Sequence, residues 1–424
     1  MASSTIVLII LLCALILFLI PRIPLLFTCL AVAVALYFTG VATPAEALGG
    51  FSSVATWSII GMSMMTGAFF STGLADVVGA KLFSFTKGSQ KSVIVAIYVI
   101  AAFFSTFTSS LAVVLMLGPM VDAMVAKSNG TLTRKMLWMP MAIGALLGGN
   151  TSMMGATNML ATSGMLEAAT GKALHFFAPA PIALPGIIVG LIYYMTIGPK
   201  TMEKVFDFPD VPAVLGDGTA EFKDGKLSWK AKLAAVIMAI TIVLLIWNKW
   251  NMGLVTFAAS ALLIVTGCCS AKQAIDAVKW DVVLEMAAMI GFAGVISSSG
   301  AGEVIGSTLL SVAERFDIGE FGVCVAVMLM CHLLSNFMSN NAGVVITVPI
   351  ALSVAQLIGG NAYAFAVVAV VSVNSAFVTP MACPLMNVTL TAGYRFSDYF
   401  RANALLNLLI FLSSAVACYL YYYI

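Results

Sequence analysis

The chain has 424 residues, of which 61% are apolar and only 9% charged, against roughly a quarter charged in ordinary soluble proteins. With a formal net charge of +2 and a mean hydropathy of +1.07, the composition excludes a soluble globular domain, a disordered chain, a secreted disulfide scaffold and a nucleic-acid binder. Apolar runs of about 17 residues or more recur along the chain, each long enough to cross a hydrocarbon layer of about 30 Å, and their continuity argues against a β-barrel.

In chain order the hydropathy pattern predicts ten spans, at 4–20, 23–40, 54–74, 137–166, 178–198, 231–247, 250–268, 281–300, 362–392 and 402–424. No basic residue precedes the first run, so the start reads as a first span and not as a cleaved leader. Two further apolar stretches, 92–126 and 320–357, carry a polar cluster at their centres. The first holds Thr106, Thr108, Ser109 and Ser110; the second holds Ser335, Asn336, Ser339, Asn340 and Asn341. A helix running straight through would strand these groups in hydrocarbon, whereas a re-entrant hairpin with a polar tip shielded by protein avoids that cost. The predicted fold class is therefore an all-α polytopic membrane protein of about ten transmembrane helices plus two re-entrant hairpins.

An N-terminus outside the cell puts 17 of the 20 basic residues on the inner side and leaves Lys172, Lys249 and Arg315 outside. Both termini are predicted outside, in a cell inner (plasma) membrane. Trp57, Trp138, Trp229, Trp247, Trp250 and Trp280 fall near span ends, where aromatic belts belong. The hydrophilic stretch 201–230 reads as a cytoplasmic linker between an N-terminal half, 1–200, and a C-terminal half, 231–424.

The halves resemble each other. Thr39-Gly40, Gly67, Gly73 and Gly79 recur at one constant offset as Thr266-Gly267, Gly294, Gly300 and Gly306. At a second, slightly larger offset Ser105, Phe107, Ser109, Ala112 and Pro119 recur as Ser335, Phe337, Ser339, Ala342 and Pro349. Five spans per half is an odd number, so the repeats would insert in opposite orientations, the plan of secondary transporters whose site lies at discontinuous helices.

Four polar interruptions carry the chemistry: tips Ser105–Ser110 and Ser335–Asn341, and broken spans 148–158 (within 137–166) and 374–387 (within 362–392). Backbone carbonyls freed there, with Ser, Thr and Asn oxygens, make a hard-oxygen shell for a small cation; freed amides at half-helix N-termini face an anion. No Lys or Arg falls within a predicted span or tip, so a bound anion would be balanced by helix ends, amides and co-bound cations. The ionisable residues at depth, Asp122, Glu285 and His332, are the candidates for proton coupling. The eight cysteines form no CxxC pair and the two histidines, His175 and His332, do not cluster with them, so no metal centre or other cofactor is assigned.

The tip Ser339-Asn340-Asn341, the following Val348-Pro349-Ile350, the broken run Phe377–Pro384, the tail Gly393–Tyr399 and, in the first half, Gly148-Gly149 to Asn158 resemble the divalent anion:sodium symporter family of the ion transporter superfamily. The first tip, Ser109-Ser110-Leu111, departs from that family's Ser-Asn-Thr, and neither broken helix has its double proline. The resemblance implies one sodium site from Ser105, Ser109 and Ser110 with the Gly148–Gly155 backbone, including Gly149 and Asn150. It implies a second from Ser335, Ser339 and Asn340 with Ala382 and Cys383. Substrate contacts are expected from Ser109, Ser110, Asn158, Ser339, Asn340, Asn341, Thr379, Pro384 and Asn387, in a homodimer. The expected function is a cation-coupled, sodium-type symporter of a small organic anion such as a di- or tricarboxylate, its hairpins and broken helices moving against a scaffold. The alternatives are a proton-coupled or sodium-independent exchanger of an oxyanion or sulfonate, and a channel or membrane subunit of a complex. With no P-loop and no nucleophile-base constellation, neither a primary pump nor an enzyme is expected.

Overall fold

Apolar segments can satisfy their backbone polar groups within lipid only as helices or closed barrels, and among the described residues the chain is helical, without strands. The structure is a computed structural model that describes residues 3–18, 20, 22–72, 89–128, 130–211, 228–247, 249–302, 304, 307 and 319–424. The first half contains α1 (Ser3–Phe18), α2 (Leu25–Phe38), the short α3 (Pro44–Ala47), a 3-10 turn (Gly49–Ser52) and α4 (Val54–Ser71). It continues with α5 (Gln90–Phe107), α6 (Ser110–Lys127), α7 (Arg134–Gly149), α8 (Thr157–Thr170), α9 (Ala180–Met195) and α10 (Gly198–Val205). The second half contains α11 (Trp229–Trp247), α12 (Met252–Val265), the short α13 (Ala271–Asp276) and α14 (Trp280–Ser298). It closes with α15 (Glu320–Phe337), α16 (Asn340–Leu357), α17 (Ala362–Asn374), α18 (Pro384–Thr389), the 3-10 turn Leu390–Ala392 and α19 (Phe396–Tyr422).

The predicted runs fall on helices, with 137–166 and 362–392 each divided into two helices by a break. Six described helices are long and apolar enough to cross a membrane by length and composition, or seven if α9 and α10, bent by 65°, count as one. Others are shorter than the apolar runs that predicted them, because a turn signal ends the helix first. The runs 23–40 and 250–268 stop at Thr39-Gly40 and Thr266-Gly267, where Gly40 and Gly267 take φ of 72° and 70°, the left-handed helix stop that a side chain disfavours. Just beyond, α3 and α13 begin with matching capping boxes, Thr43 with Glu46 and Ser270 with Gln273, at the same offset as the two Thr-Gly stops. The segments carrying Gly73, Gly79 and Gly306, the last residues of the 54–74 span, and Lys81, Lys87 and Arg315 lie outside the described residues.

Both 92–126 and 320–357 fold as two helices joined by a two-residue break. Thr108 and Ser109 separate α5 from α6, and Met338 and Ser339 separate α15 from α16, all four in extended conformations. The breaks fall at the centre of the polar clusters, and Ser105, Thr106, Ser335 and Asn336 sit in the last turns of the rising arms. The other two interruptions open α7/α8 at Asn150–Ala156 and α17/α18 at Ser375–Cys383.

The first rising arm lies directly on the first broken helix through Gly144 and Gly148, spaced as small-xxx-small. A methyl group on Gly148 would overlap the Ala102 carbonyl oxygen, and one on Gly144 would overlap that of Tyr98. Neither carbonyl can yield without breaking α5. Gly148→Ala is thus expected to abolish the folded state or lower its detergent Tm by many degrees; an unchanged melting curve would contradict this packing.

Elsewhere α9 packs along α19, α12 along α4 and α14 along α2. The short helices pack reciprocally, α3 and its 3-10 turn on α14, and α13 on α4. One departure concerns the linker. Residue 201 lies inside α10, and the chain that follows is anchored, because Lys135 Nζ donates to the carbonyls of Phe206 and Phe208 at 3.0 and 2.5 Å while both rings are buried. Residues 212–227 lie outside the described residues.

Candidate functional site

Hairpin breaks and broken helices meet at one place because each tip bonds to the broken helix of its own half. The Ser110 amide donates to the Gly155 carbonyl at 3.2 Å, and the Asn340 amide to that of Ala382 at 2.7 Å. In the reverse direction, Ser152 Oγ donates to the Thr106 carbonyl at 2.5 Å and Thr379 Oγ1 to that of Asn336 at 2.6 Å. Tip partners keep the larger of the two sequence offsets and broken-helix partners the smaller, so the bonds of one half repeat those of the other.

Behind each tip the oxygens gather. Ser105 Oγ lies 2.7 Å from Ser110 Oγ, which is 3.1 Å from the Gly155 carbonyl oxygen. Gly149 is the floor of this cluster: a Cβ there would overlap Ser110 Oγ and meet Ser105 Oγ at 3.0 Å and the Gly155 carbonyl oxygen at 3.1 Å. In the second half, the Asn340 carboxamide nitrogen donates to Ser335 Oγ at 2.7 Å. The same end of the Asn340 carboxamide faces the carbonyl oxygens of Ala382 at 2.7 Å and Val373 at 3.3 Å. The amide nitrogen at this end donates to all three oxygens, so the second cluster is closed by hydrogen bonds from Asn340.

In front of the tips lies a cavity of about 590 Å³, within the size range of small-molecule sites. Four helices begin at its wall: α6 at Ser109-Ser110, α8 at Ala156-Thr157, α16 at Asn340-Asn341 and α18 at Cys383-Pro384. No side chain caps the first turns of α6, α8 or α18. Each helix start contributes up to about half a positive charge, and the first turns of α6, α8 and α18 keep amides without a side-chain cap, so the cavity favours an anion without a buried cation. Asn150 and Asn158 of the first half meet the second there. Asn158 Nδ2 donates to Asn374 Oδ1 at 2.8 Å and Asn150 Nδ2 to Ser375 Oγ at 3.1 Å. Asn150 Oδ1, Asn158 Oδ1 and Asn374 Nδ2 are buried without a hydrogen-bond partner, which leaves polar capacity at the cavity wall. The rest of the wall is largely apolar, with Ile59, Met62, Leu111, Leu146, Met153 and Leu160.

Of the residues singled out in the sequence, Ser109, Ser110, Asn150, Asn158, Asn340, Asn341, Cys383 and Pro384 line the cavity. Ser105, Gly149, Ser335 and Ala382 stand behind it in the oxygen clusters. Ser339 caps α16 by accepting from the Ala342 amide, Thr379 holds the break of α17/α18, and Asn387 is exposed on α18 away from the cavity wall. Asp122 is taken up by a buried ion pair with Arg134 at 2.7 Å. Glu285 is buried on α14 beside Asn341. His332 lies between the Ser372 carbonyl oxygen at 3.1 Å and Asn407 Oδ1 at 2.5 Å. Among the cavity residues that escaped the sequence reading are Gln273, Asp276 and Lys279 of the α13 region. Partial desolvation at the wall holds the Lys279 ammonium below the usual lysine range, opposed by Asp281. The matched capping boxes at Thr43 and Ser270 were the signal that could have revealed α13.

The profile described as "citrate transporter" matches residues 15–370. An uncharacterized transporter of Synechocystis sp. is 28% identical over 46% of this chain and 31% of its own length. Sodium/sulfate cotransporter 2 of Chlamydomonas reinhardtii is 27% identical over 30% of this chain and 14% of its own. The chain thus matches less than a third of the length of either relative. The Alcanivorax borkumensis YdaH transporter shares the fold at a TM-score of 0.63 and 12% identity, covering 88% of this chain and 87% of that one.

Proposed function

The chain belongs to the citrate transporter family, and on that premise we propose that it is a sodium-coupled symporter of a small organic anion, a di- or tricarboxylate. Membership makes it a membrane transport protein and not an enzyme, and agrees with the resemblance to the divalent anion:sodium symporters. The observation that carries the finer reading is the cavity where four helices begin, together with the Ser105–Ser110–Gly155 oxygen cluster behind the first tip. An anion at the helix starts and a cation behind a tip neutralise one another, so each favours the binding of the other, and this is coupling.

The Chlamydomonas cotransporter favours sulfate as a second reading. A cavity of about 590 Å³ with an extended apolar wall suits a carbon-bearing anion better than a compact oxyanion. Under this proposal the tips and broken helices travel as one carrier unit against α2, α4, α12 and α14, in an inner-membrane homodimer with both termini outside.

Proteoliposomes test the coupling. Labelled citrate or succinate is expected to accumulate several-fold under an inward sodium gradient and to undergo counterflow, with sulfate competing weakly. Accumulation that ignores sodium and follows a pH gradient would replace sodium by protons, and unsaturable flux without counterflow would make the protein a channel.

A further inference from the structure

Lys279 is the single cation among the described residues that line the cavity, and within that set its ammonium enters no hydrogen bond or ion pair. It stands at the N-cap of α14, just past the end of α13 and outside the span itself. The acidic groups near it are Asp276, which also lines the cavity, and Asp281 and Glu285 on the first turns of α14. None of the three is ion-paired to it; the described ion pairs are Arg134–Asp122 and Arg395–Asp207.

The repeat turns this placement into an asymmetry. In the register set by Thr39-Gly40 and Thr266-Gly267, Lys279 corresponds to Ser52 and Asp276 to Gly49, in the 3-10 turn after α3. That turn is packed shut against α14, where a Cβ on Gly50 would overlap the Ala287 carbonyl oxygen. The α13 region lines the cavity and the α3 region does not, so among the described residues the charged side chains at the cavity wall, Asp276 and Lys279, both lie on the α13 side.

We propose that Lys279 is the residue that recruits the anionic substrate at the α13 mouth of the cavity, so that affinity from this side has an electrostatic component that the opposite side lacks. The inference rests on reading the cavity as an anion site. An exposed ammonium at the cavity wall acts through Coulomb attraction screened by salt, so its loss weakens capture and leaves the carrier's turnover intact.

The test is citrate uptake in inside-out and right-side-out vesicles at low and high ionic strength. Lys279→Gln is expected to raise KM about 3–10-fold in one orientation only, with little change in maximal rate and a flatter salt dependence. Lys279→Arg restores the wild-type KM, and Asp276→Asn lowers it, the opposite sign for the opposite charge. A Lys279→Gln KM within twofold of wild type in both orientations overturns the proposal, as does an arginine variant that behaves like the glutamine one. Absence of saturable anion uptake by the unmodified protein would overturn the transporter reading first, which is a distinguishable result.

Discussion

Asn340→Ala is expected to abolish sodium-driven uptake while leaving a folded protein. The carboxamide is the one side chain that touches both the second oxygen cluster and the cavity. Truncation removes its 2.7 Å bond with Ser335 and leaves the Ala382 and Val373 carbonyls facing a void. The backbone bond from the Asn340 amide to Ala382 survives, so the tip stays docked. Stability should fall by about 1–3 kcal/mol, the cost of unpaired buried polar groups. Sodium affinity should fall further, since even a changed outer-shell partner costs a metal site about 10–100-fold. Sodium titration of the thermal unfolding midpoint reads the cation site directly: wild type is expected to rise with sodium and the variant to stay flat. Near-normal uptake, or an undiminished sodium shift, would remove the second tip from the cation site.

The helical architecture was legible because the bilayer permits so few solutions. Once the apolar runs are continuous, helices follow, and a polar cluster in mid-run such as Ser335–Asn341 has to be a break. The two constant offsets between the halves were legible as well, and they recur in the structure as paired bonds, Ser110 to Gly155 and Asn340 to Ala382. Other features were hidden for physical reasons. Hydropathy averages over many residues and cannot register α13, six residues long, although its capping box is present in the letters. The pairings Asn150–Ser375 and Asn158–Asn374 join positions far apart in the chain, one in each half, and no local pattern encodes them. Lys279 was sorted as a loop charge that fixes orientation, because sequence separates span from loop and cannot see that a loop folds back onto a cavity.

A second large effect on stability is expected away from the cavity, at Asp122 and Arg134. Their side chains are 7% and 3% exposed, and Arg134 Nε donates to Asp122 Oδ1 at 2.7 Å while Trp138 Nε1 donates to the same oxygen at 2.8 Å. Arg134 Nη1 reaches the Thr391 carbonyl at 3.1 Å, and its backbone amide, with that of Lys135, donates to the Asp210 carboxylate at 3.0 and 3.1 Å. The cluster therefore ties α6 of the first hairpin, the start of the first broken helix, the chain beyond α10 and the turn after α18 into one body. Asp122→Ala removes the carboxylate that pairs with the buried Arg134 guanidinium and is expected to cost about 3–5 kcal/mol, with Arg134→Met similar. The double variant Asp122→Leu/Arg134→Met removes both charges and should recover most of that loss. Thermal unfolding in detergent gives the double-mutant cycle, and uptake by the double variant gives the functional counterpart. Restored stability with sodium-coupled uptake retained would assign Asp122 to holding the first hairpin on the first broken helix. If instead each single variant is as stable as wild type and Asp122→Ala changes only the pH dependence of uptake, Asp122 is a proton carrier, and the ion pair is not what joins the discontinuous helices.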